Sequence, residues 1–297
     1  MAATLAASAG AQETPLVRVA VSAFEAQADV YYAQELGLFN RAGLNVDIEQ
    51  FQGGESIVAG IAAGAIQIGA GNPVPLANAH LRGIDVVLVA PGTMDDETLQ
   101  PLISGMIVAT NSPLQTAKDL SGKTIAVNTL HSVDQIAAET WVDKNGGDSR
   151  TLRFVEIPNL TMVDAIAQGR VDAAIVADPG YTTGIESGRV RRFASVNSGI
   201  AKRFMITAWF ASRAWANGNP DTVRKFATVL NQGANWAVKN PEAAAAVLRK
   251  YLRLSTTRAH ERHAATLDPG MLQPLIDAAV RYKVLAGPLD VRDIIWH

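Results

Sequence analysis

Cysteine is absent from all 297 residues, which excludes disulfides, thiolate metal ligands and a cysteine nucleophile, while leaving the redox compartment undetermined. An excess of charge is missing too. Lys and Arg number 26 against 28 Asp and Glu, a net of -2, so neither nucleic acid nor an anionic membrane surface has an electrostatic claim on the chain. Aromatic residues make up only 6%, and no apolar run reaches the roughly 18 residues that a membrane-crossing helix needs. What the chain does have is apolar bulk, 48% of its residues, and a length that suits two cores better than one.

A short unit is written twice. "SIVAGIAAGAIQIGAGN" at 56–72 aligns with "TMVDAIAQGRVDAAIVA" at 161–177, so that Ile61 falls on Ile166, Gly64 on Gly169 and Ile66 on Val171. The likeness extends backwards, with "VRVAVS" at 17–22 over "KTIAVN" at 123–128. Each half reads as strand (17–21; 123–127), helix (27–38; 133–144), strand (45–50; 151–156), helix (56–63; 161–168) and strand (66–70; 171–176). Short β-rich runs alternating with amphipathic helices predict an α/β architecture of mainly parallel sheets flanked by helices.

"HLRGIDVVLVAPGT" (80–93) adds a further helix end and a buried strand to the first half. "PLISGMIVA" at 101–109 and "FMITAWFAS" at 204–212 bracket the second half and are expected to be two crossing strands that form a hinge. The expected division is lobe 1 at 16–107, an inserted lobe 2 at 108–205, and a return to lobe 1 at 206–297. After 213 the return is wholly helical, with Asn240 and Pro241 spelling an N-cap and a first helical position. Residues 2–12, "AATLAASAGAQ", end in the cleavage-like Ala9-Gly10-Ala11; residues 1–15 are read as the remnant of an export signal, or else a disordered tail.

In open α/β sheets, ligands sit beyond the carboxyl ends of the strands, where helix N-termini gather. Four strand-to-helix junctions fall there, at 22–27, 51–56, 128–133 and 158–162. Ser22, Ser56, Asn128, Thr129, Ser132, Asn159 and Thr161 offer short polar groups, and Gly53 and Gly54 allow close backbone approach. The competing reading is local: Ser132 with Gln135, and Thr161 with Asp164, spell capping boxes that satisfy their own helices. Loops after the third strands, "GAGNPVP" and "VADPG", bring Asn72 and Asp178 towards the same place, with a plain turn role as the alternative for Asp178.

"YYAQELGLFNRAGLNVDIEQFQGGES", "IAAGAIQIGAGNPVP", "LQTAKDLSGKTIAVN" and "AIAQGRVDAAIVADP" together resemble the periplasmic solute-binding proteins of ABC importers, in the branch of sulfonate, taurine, nitrate and thiamine-pyrimidine binders. The resemblance implies a two-lobed periplasmic-binding-protein-like fold and an exported, periplasmic, monomeric receptor. Such a receptor closes on one small molecule, such as a sulfonate, a carboxylate or a pyrimidine-like compound. It needs no cofactor, and its partners are a membrane permease and its ATPase. Carried over position by position, it implies pocket residues Ser22, Ala23, Phe24, Gly53, Gly54, Asn72, Thr129, Ser132, Asn159, Thr161 and Asp178. No arginine stands at a junction loop, so a bidentate clamp on a strong anion is not evident. Phe24, Phe51 and Trp209 are read either as walls for a flat ring or as core, and His131 either as a donor or as a solvated loop residue.

Other motifs fail. "GAGNPV" lacks the third glycine of a dinucleotide turn, and no nucleophile elbow or P-loop occurs. "HERH" at 260–263 lacks zinc-binding spacing and is read as a solvated helix face, and "DDE" at 95–97 as a solvated loop. No catalytic residue or metal ligand is expected. The alternative is an enzyme on the same bilobal fold, of the pyrimidine-precursor synthase or menaquinone-pathway lyase type, though the cysteine-bearing segment of the synthases cannot exist here. A regulator's effector domain would need a DNA-binding region that nothing before Leu16 supplies.

Overall fold

Alternating or continuous apolar runs, such as "LVRVAV" and "VVLVAP", form strands because β-branched side chains pack well on a pleated surface. In the computed structural model, residues 15–51, 54–99, 102, 104–178, 180–254, 256, 258–260 and 262–297 are described. The expectations for the first 14 residues and for Gly53 lie outside them.

The first repeat gives β1 (Leu16–Val21), α1 (Asp29–Glu35), α2 (Leu38–Arg41), β2 (Asn45–Gln50), α3 (Gly54–Ala62) and β3 (Ile68–Gly71), followed by α4 (Pro73–Leu81) and β4 (Val86–Pro91). After β5 (Met94–Asp96) and β6 (Ser104–Ala109), the second repeat gives β7 (Thr124–Val127), α5 (Val133–Lys144), β8 (Arg153–Glu156), α6 (Asn159–Ala167) and β9 (Ala173–Ala177). Then come α7 (Gly180–Glu186), β10 (Val190–Ala194), β11 (Arg203–Met205) and β12 (Ala208–Ser212). The chain closes with α8 (Arg213–Gly218), α9 (Pro220–Lys239), α10 (Pro241–Leu252) and α11 (Pro269–Arg281).

The duplication in sequence is a duplication of topology. One five-stranded sheet has the order β2-β1-β3-β12-β4, the other β8-β7-β9-β6-β10. In each, the three repeat strands run parallel, Leu16 opposite Asn45 through Val21 opposite Gln50 in the first and Thr124 opposite Arg153 through Val127 opposite Glu156 in the second. In each, the fourth strand is antiparallel: β12, which follows the second repeat, in the first sheet, and β6, which leads into the second repeat, in the second. These two sheets, with their helices, are the two lobes.

The crossing differs from the expected one. Residues 101–109 were expected to carry it, but β6 lies wholly in the second sheet, paired with β9 and β10. The crossing is a two-stranded ribbon in which β5 and β11 pair antiparallel, Arg203 opposite Asp96 and Met205 opposite Met94. "DDE" therefore starts in a strand, and Asp95 is buried, not part of a solvated loop. Gly92 precedes the ribbon where any side chain is excluded: a Cβ there would stand 2.6 Å from Thr207 Oγ1 and 2.7 Å from its carbonyl oxygen.

The terminal helices return to the first lobe. α9 lies along α1, with Phe226 stacked on Phe39 and edge-on to Trp209. α11 touches α4, β11 and α5, and Tyr282 at its end donates to Asp143 Oδ2 of α5 at 2.8 Å. Among the described residues no helix is long and apolar enough to cross a membrane.

Candidate functional site

The carboxyl ends of β1, β2 and β3 share one edge of the first sheet, and those of β7, β8 and β9 one edge of the second, because each trio is parallel. The loops that leave those edges carry most of the residues picked out above. At the first, Ser22 is buried and its N–H donates to Gln27 Oε1 at 2.6 Å, whereas Ala23 is exposed and Phe24 is 49% exposed. Phe51 is half-buried against the core. Gly54 opens α3 with ordinary clearance, since a Cβ there would sit 3.7 Å from Pro75, so no close approach requires glycine. Asn72 caps α4, its Oδ1 accepting from Val74 N at 2.8 Å with Pro73 at the first helical position.

In the second lobe the expected capping boxes do not form. Gln135 Oε1 accepts instead from His131 N at 2.9 Å, and the Ser132 hydroxyl, at the head of α5, is buried without a hydrogen-bond partner. Burial alone pushes the neighbouring Asp134 carboxyl up to about 6. Thr161 falls inside the first turn of α6, where Oγ1 donates to Pro158 O at 3.0 Å, and Asp164 pairs with Arg189. Asn159 is fastened to Ala177 at the end of β9 by two hydrogen bonds of 3.0 and 3.1 Å. Thr129 and His131 are exposed, His131 with a positive φ of 58°, while Leu130 and Leu160 show apolar surface at the same edge.

Trp209 is not a ligand wall. It is 1% exposed within the first lobe's core, and its Nε1 donates to Asp29 Oδ2 at 3.0 Å. Nor is "HERH" a solvated helix face. Residues 258–260 and 262–264 form a strap along the entry to the crossing ribbon: Met94 N donates to Arg262 O and Ala264 N to Gly92 O, both at 2.8 Å. Arg262 is buried and the His263 side chain is 5% exposed, with Nδ1 3.3 Å from Asp29 Oδ2.

The strap links the two edges. The His260 N–H donates to Glu25 Oε1 in the first junction loop, and His260 Nδ1 stands 3.7 Å from Asp178 Oδ2 in the loop after β9. Asp178 uses its other oxygen to accept from Thr182 N at 2.9 Å and Thr182 Oγ1 at 2.7 Å. Burial pushes the Glu25 carboxyl up to about 7; the His260 N–H opposes this, the Asp178 charge adds to it and Arg262 opposes it. Burial lowers His260, with Asp178 acting the other way, and burial also lowers Arg262 against the fields of Asp95, Asp96, Asp178 and Glu25.

Glu25, His260 and Arg262 were missed by sequence reasoning. The one available signal was the polar cluster "HERH", and it carries no hint of where a segment far down the chain will dock. Among the described residues no three His, Asp or Glu side chains are placed to hold a metal.

Two parallel-stranded lobes, an antiparallel fourth strand in each and polar junction loops brought together at a crossing ribbon define the bilobal solute-binding-protein class. The chain belongs to the NMT1/THI5-like family, whose model matches residues 26–244. It is 24% identical over 263 residues to a putative aliphatic sulfonates-binding protein of Escherichia coli K12, covering 84% of this chain and 78% of that one. To the taurine-binding periplasmic protein of the same organism it is 28% identical over 225 residues, covering 73% and 63% respectively. The crystal structure of the periplasmic aliphatic sulphonate binding protein SsuA from Escherichia coli superposes with a TM-score of 0.80 at 18% identity, covering 96% of this chain and 93% of that one. The fold also occurs in an enzyme, the desulfurization enzyme DSZB, at a TM-score of 0.71 and 15% identity, covering 94% and 96%.

Proposed function

We propose that this chain is the solute-binding receptor of an ABC importer, exported to the periplasm, which takes one small organic molecule between its lobes and presents the closed form to a membrane permease and its ATPase. The observation that carries the reading is the convergence of Glu25 from the first junction edge and Asp178 from the second on one strap residue, His260. Residues 92–94 and 203–207 are the proposed hinge, dividing a first lobe of about 16–93 and 206–297 from a second of about 104–202. Family membership and the names of the two relatives support a receptor over the enzyme alternative.

In this reading Ser132 offers its unpartnered hydroxyl at the N-terminus of α5, where the helix dipole favours an acceptor. Phe24, Leu130 and Leu160 supply apolar surface, and the free oxygen of Asp178 accepts an N–H. The ligand classes that fit are a sulfonate or carboxylate at the helix end and a pyrimidine or amine at Asp178.

Thermal-shift screening with sulfonates, nitrate, pyrimidines, aromatic carboxylates and amines tests the proposal. A ligand at a hundredfold excess over its Kd stabilises by about 2.7 kcal/mol, which raises Tm by roughly 5 °C for a chain of this size. The ligand should be recovered unchanged by mass spectrometry. Recovery of a converted product would replace the receptor reading with the enzyme.

A further inference from the structure

A carboxylate from each lobe, Glu25 and Asp178, stands beside His260 of the strap. Glu25 leaves the end of β1 and Asp178 the end of β9. The Asp178 side chain is 9% exposed, and its Oδ2 has His260 Nδ1 as its neighbour at 3.7 Å, beyond hydrogen-bond length. His260 Nδ1 is itself buried without a hydrogen-bond partner. Thr93 Oγ1 and Thr207 Oγ1, which flank β5 and β11 of the crossing, both donate to Ala26 O at 3.0 and 3.1 Å, so the Glu25 loop is fixed to the proposed hinge. Asp178 is carried on the other lobe, and relative movement of the lobes changes its distance from Glu25.

We propose that Glu25 and Asp178, which meet at His260, form a divided carboxylate pair that opposes closure while Glu25 is charged, chiefly through its loss of water and secondarily through the Asp178 charge, and that closure takes up one proton at Glu25. The proposal rests on the reading of the two sheets as lobes that close, and is independent of the ligand. The charged and titratable groups facing Glu25 are Asp178 across the gap and His260 and Arg262 on the strap, with Asp95 and Asp96 of β5 facing Arg262 in turn. Opening removes Asp178 and admits water, while His260 N–H and Arg262 stay with the first lobe; both changes favour the carboxylate.

The sign follows by linkage. With the arrangement in the structure taken as the closed one, the Glu25 carboxyl is there pushed up to about 7 from its ordinary 4.5, and opening would return it downward, so protonation favours the closed form. The closed population therefore rises as pH falls through about 7. Burial lowers His260 below its ordinary 6.5, so its own titration, which favours opening, begins only towards the acid end of that range.

The absence of cysteine makes the test direct. Asp47→Cys in β2 and Arg153→Cys in β8, both exposed edge-strand positions, carry spin labels that report the interlobe distance without ligand between pH 8.5 and 6.5. The closed-to-open ratio is expected to rise at least about threefold across that range. In Glu25→Gln it is expected to be high and flat; in Asp178→Asn it is expected to be raised at pH 8.5 and its pH dependence reduced. Circular dichroism confirms that each variant is folded, and the two variants are independent readouts should one fail. An unaltered pH response in either folded variant, or a flat response in the parent, would overturn the proposal. Ligand-driven closure persisting in that flat parent leaves the receptor reading standing, whereas a single distance at every pH even with a ligand that raises Tm would overturn both.

Discussion

Asp29 sits between two aromatic rings that arrive from distant parts of the chain, the indole of Trp209 at 3.0 Å and the imidazole of His263 at 3.3 Å. It is 3% exposed, so its removal strands a buried indole N–H. Asp29→Ala is expected to cost about 1–3 kcal/mol in urea denaturation. Ser132→Ala is the contrasting case, because its hydroxyl has no partner in the protein. Folding stability should change by less than about 0.5 kcal/mol, while affinity for a ligand found by the thermal screen should fall, measured by calorimetry. Short polar residues at strand ends were legible as candidates because local chemistry suffices to mark a junction. Which of them cap a helix was not. Asn72 does, through a bond to its own next turn, while Ser132 stands at the N-cap position of α5 without a side-chain cap bond because Gln135 turns to His131 N, and Thr161 does not cap because α6 begins two residues earlier than its spacing suggests.

At the scale of elements, α9 reaches α1 more closely than side chains normally permit. Gly233 makes that crossing possible: a Cβ there would lie 2.9 Å from both Ala33 N and Asp29 O, backbone atoms that cannot swing aside. Gly233→Ala gains helix propensity but must force α9 away from α1, and a net loss of about 1–3 kcal/mol is expected from thermal or urea unfolding. The repeat elements were legible almost to the residue, β1, β2, α3, β7, α5 and β8 among them, since strand and helix periods are written locally. β6 was legible as a strand and misread as a crossing, because an apolar run of six does not say which sheet it joins. The strap of 258–260 and 262–264 was misread altogether, since it is held by Gly92, by Met94 of the ribbon and by Pro241, which accepts from Ala259 N at 3.0 Å.

For the whole molecule, the two lobes are joined by the β5/β11 ribbon, by the strap and by the α11 contact with α5. A ligand that touches both junction edges gains contacts only in the closed form, so it shifts the population by its differential affinity for that form. Small-angle scattering should show the radius of gyration falling on addition of a ligand that raises Tm. Unchanged scattering at saturation would mean that the ligand engages one lobe alone.

The sequence by itself determined the duplicated strand-helix units, their parallel trios and the positions of the junction loops, because each depends on propensity and periodicity within a few residues. Only the tertiary structure decided that each sheet takes an antiparallel fourth strand, the first sheet's from beyond the second repeat, that Trp209 is core, and that His260 and Arg262 stand beside Glu25 and Asp178. Those outcomes depend on contacts such as Glu25 with His260, 235 residues apart. They are selected by burial and charge pairing in the assembled fold, and no neighbouring residue records them.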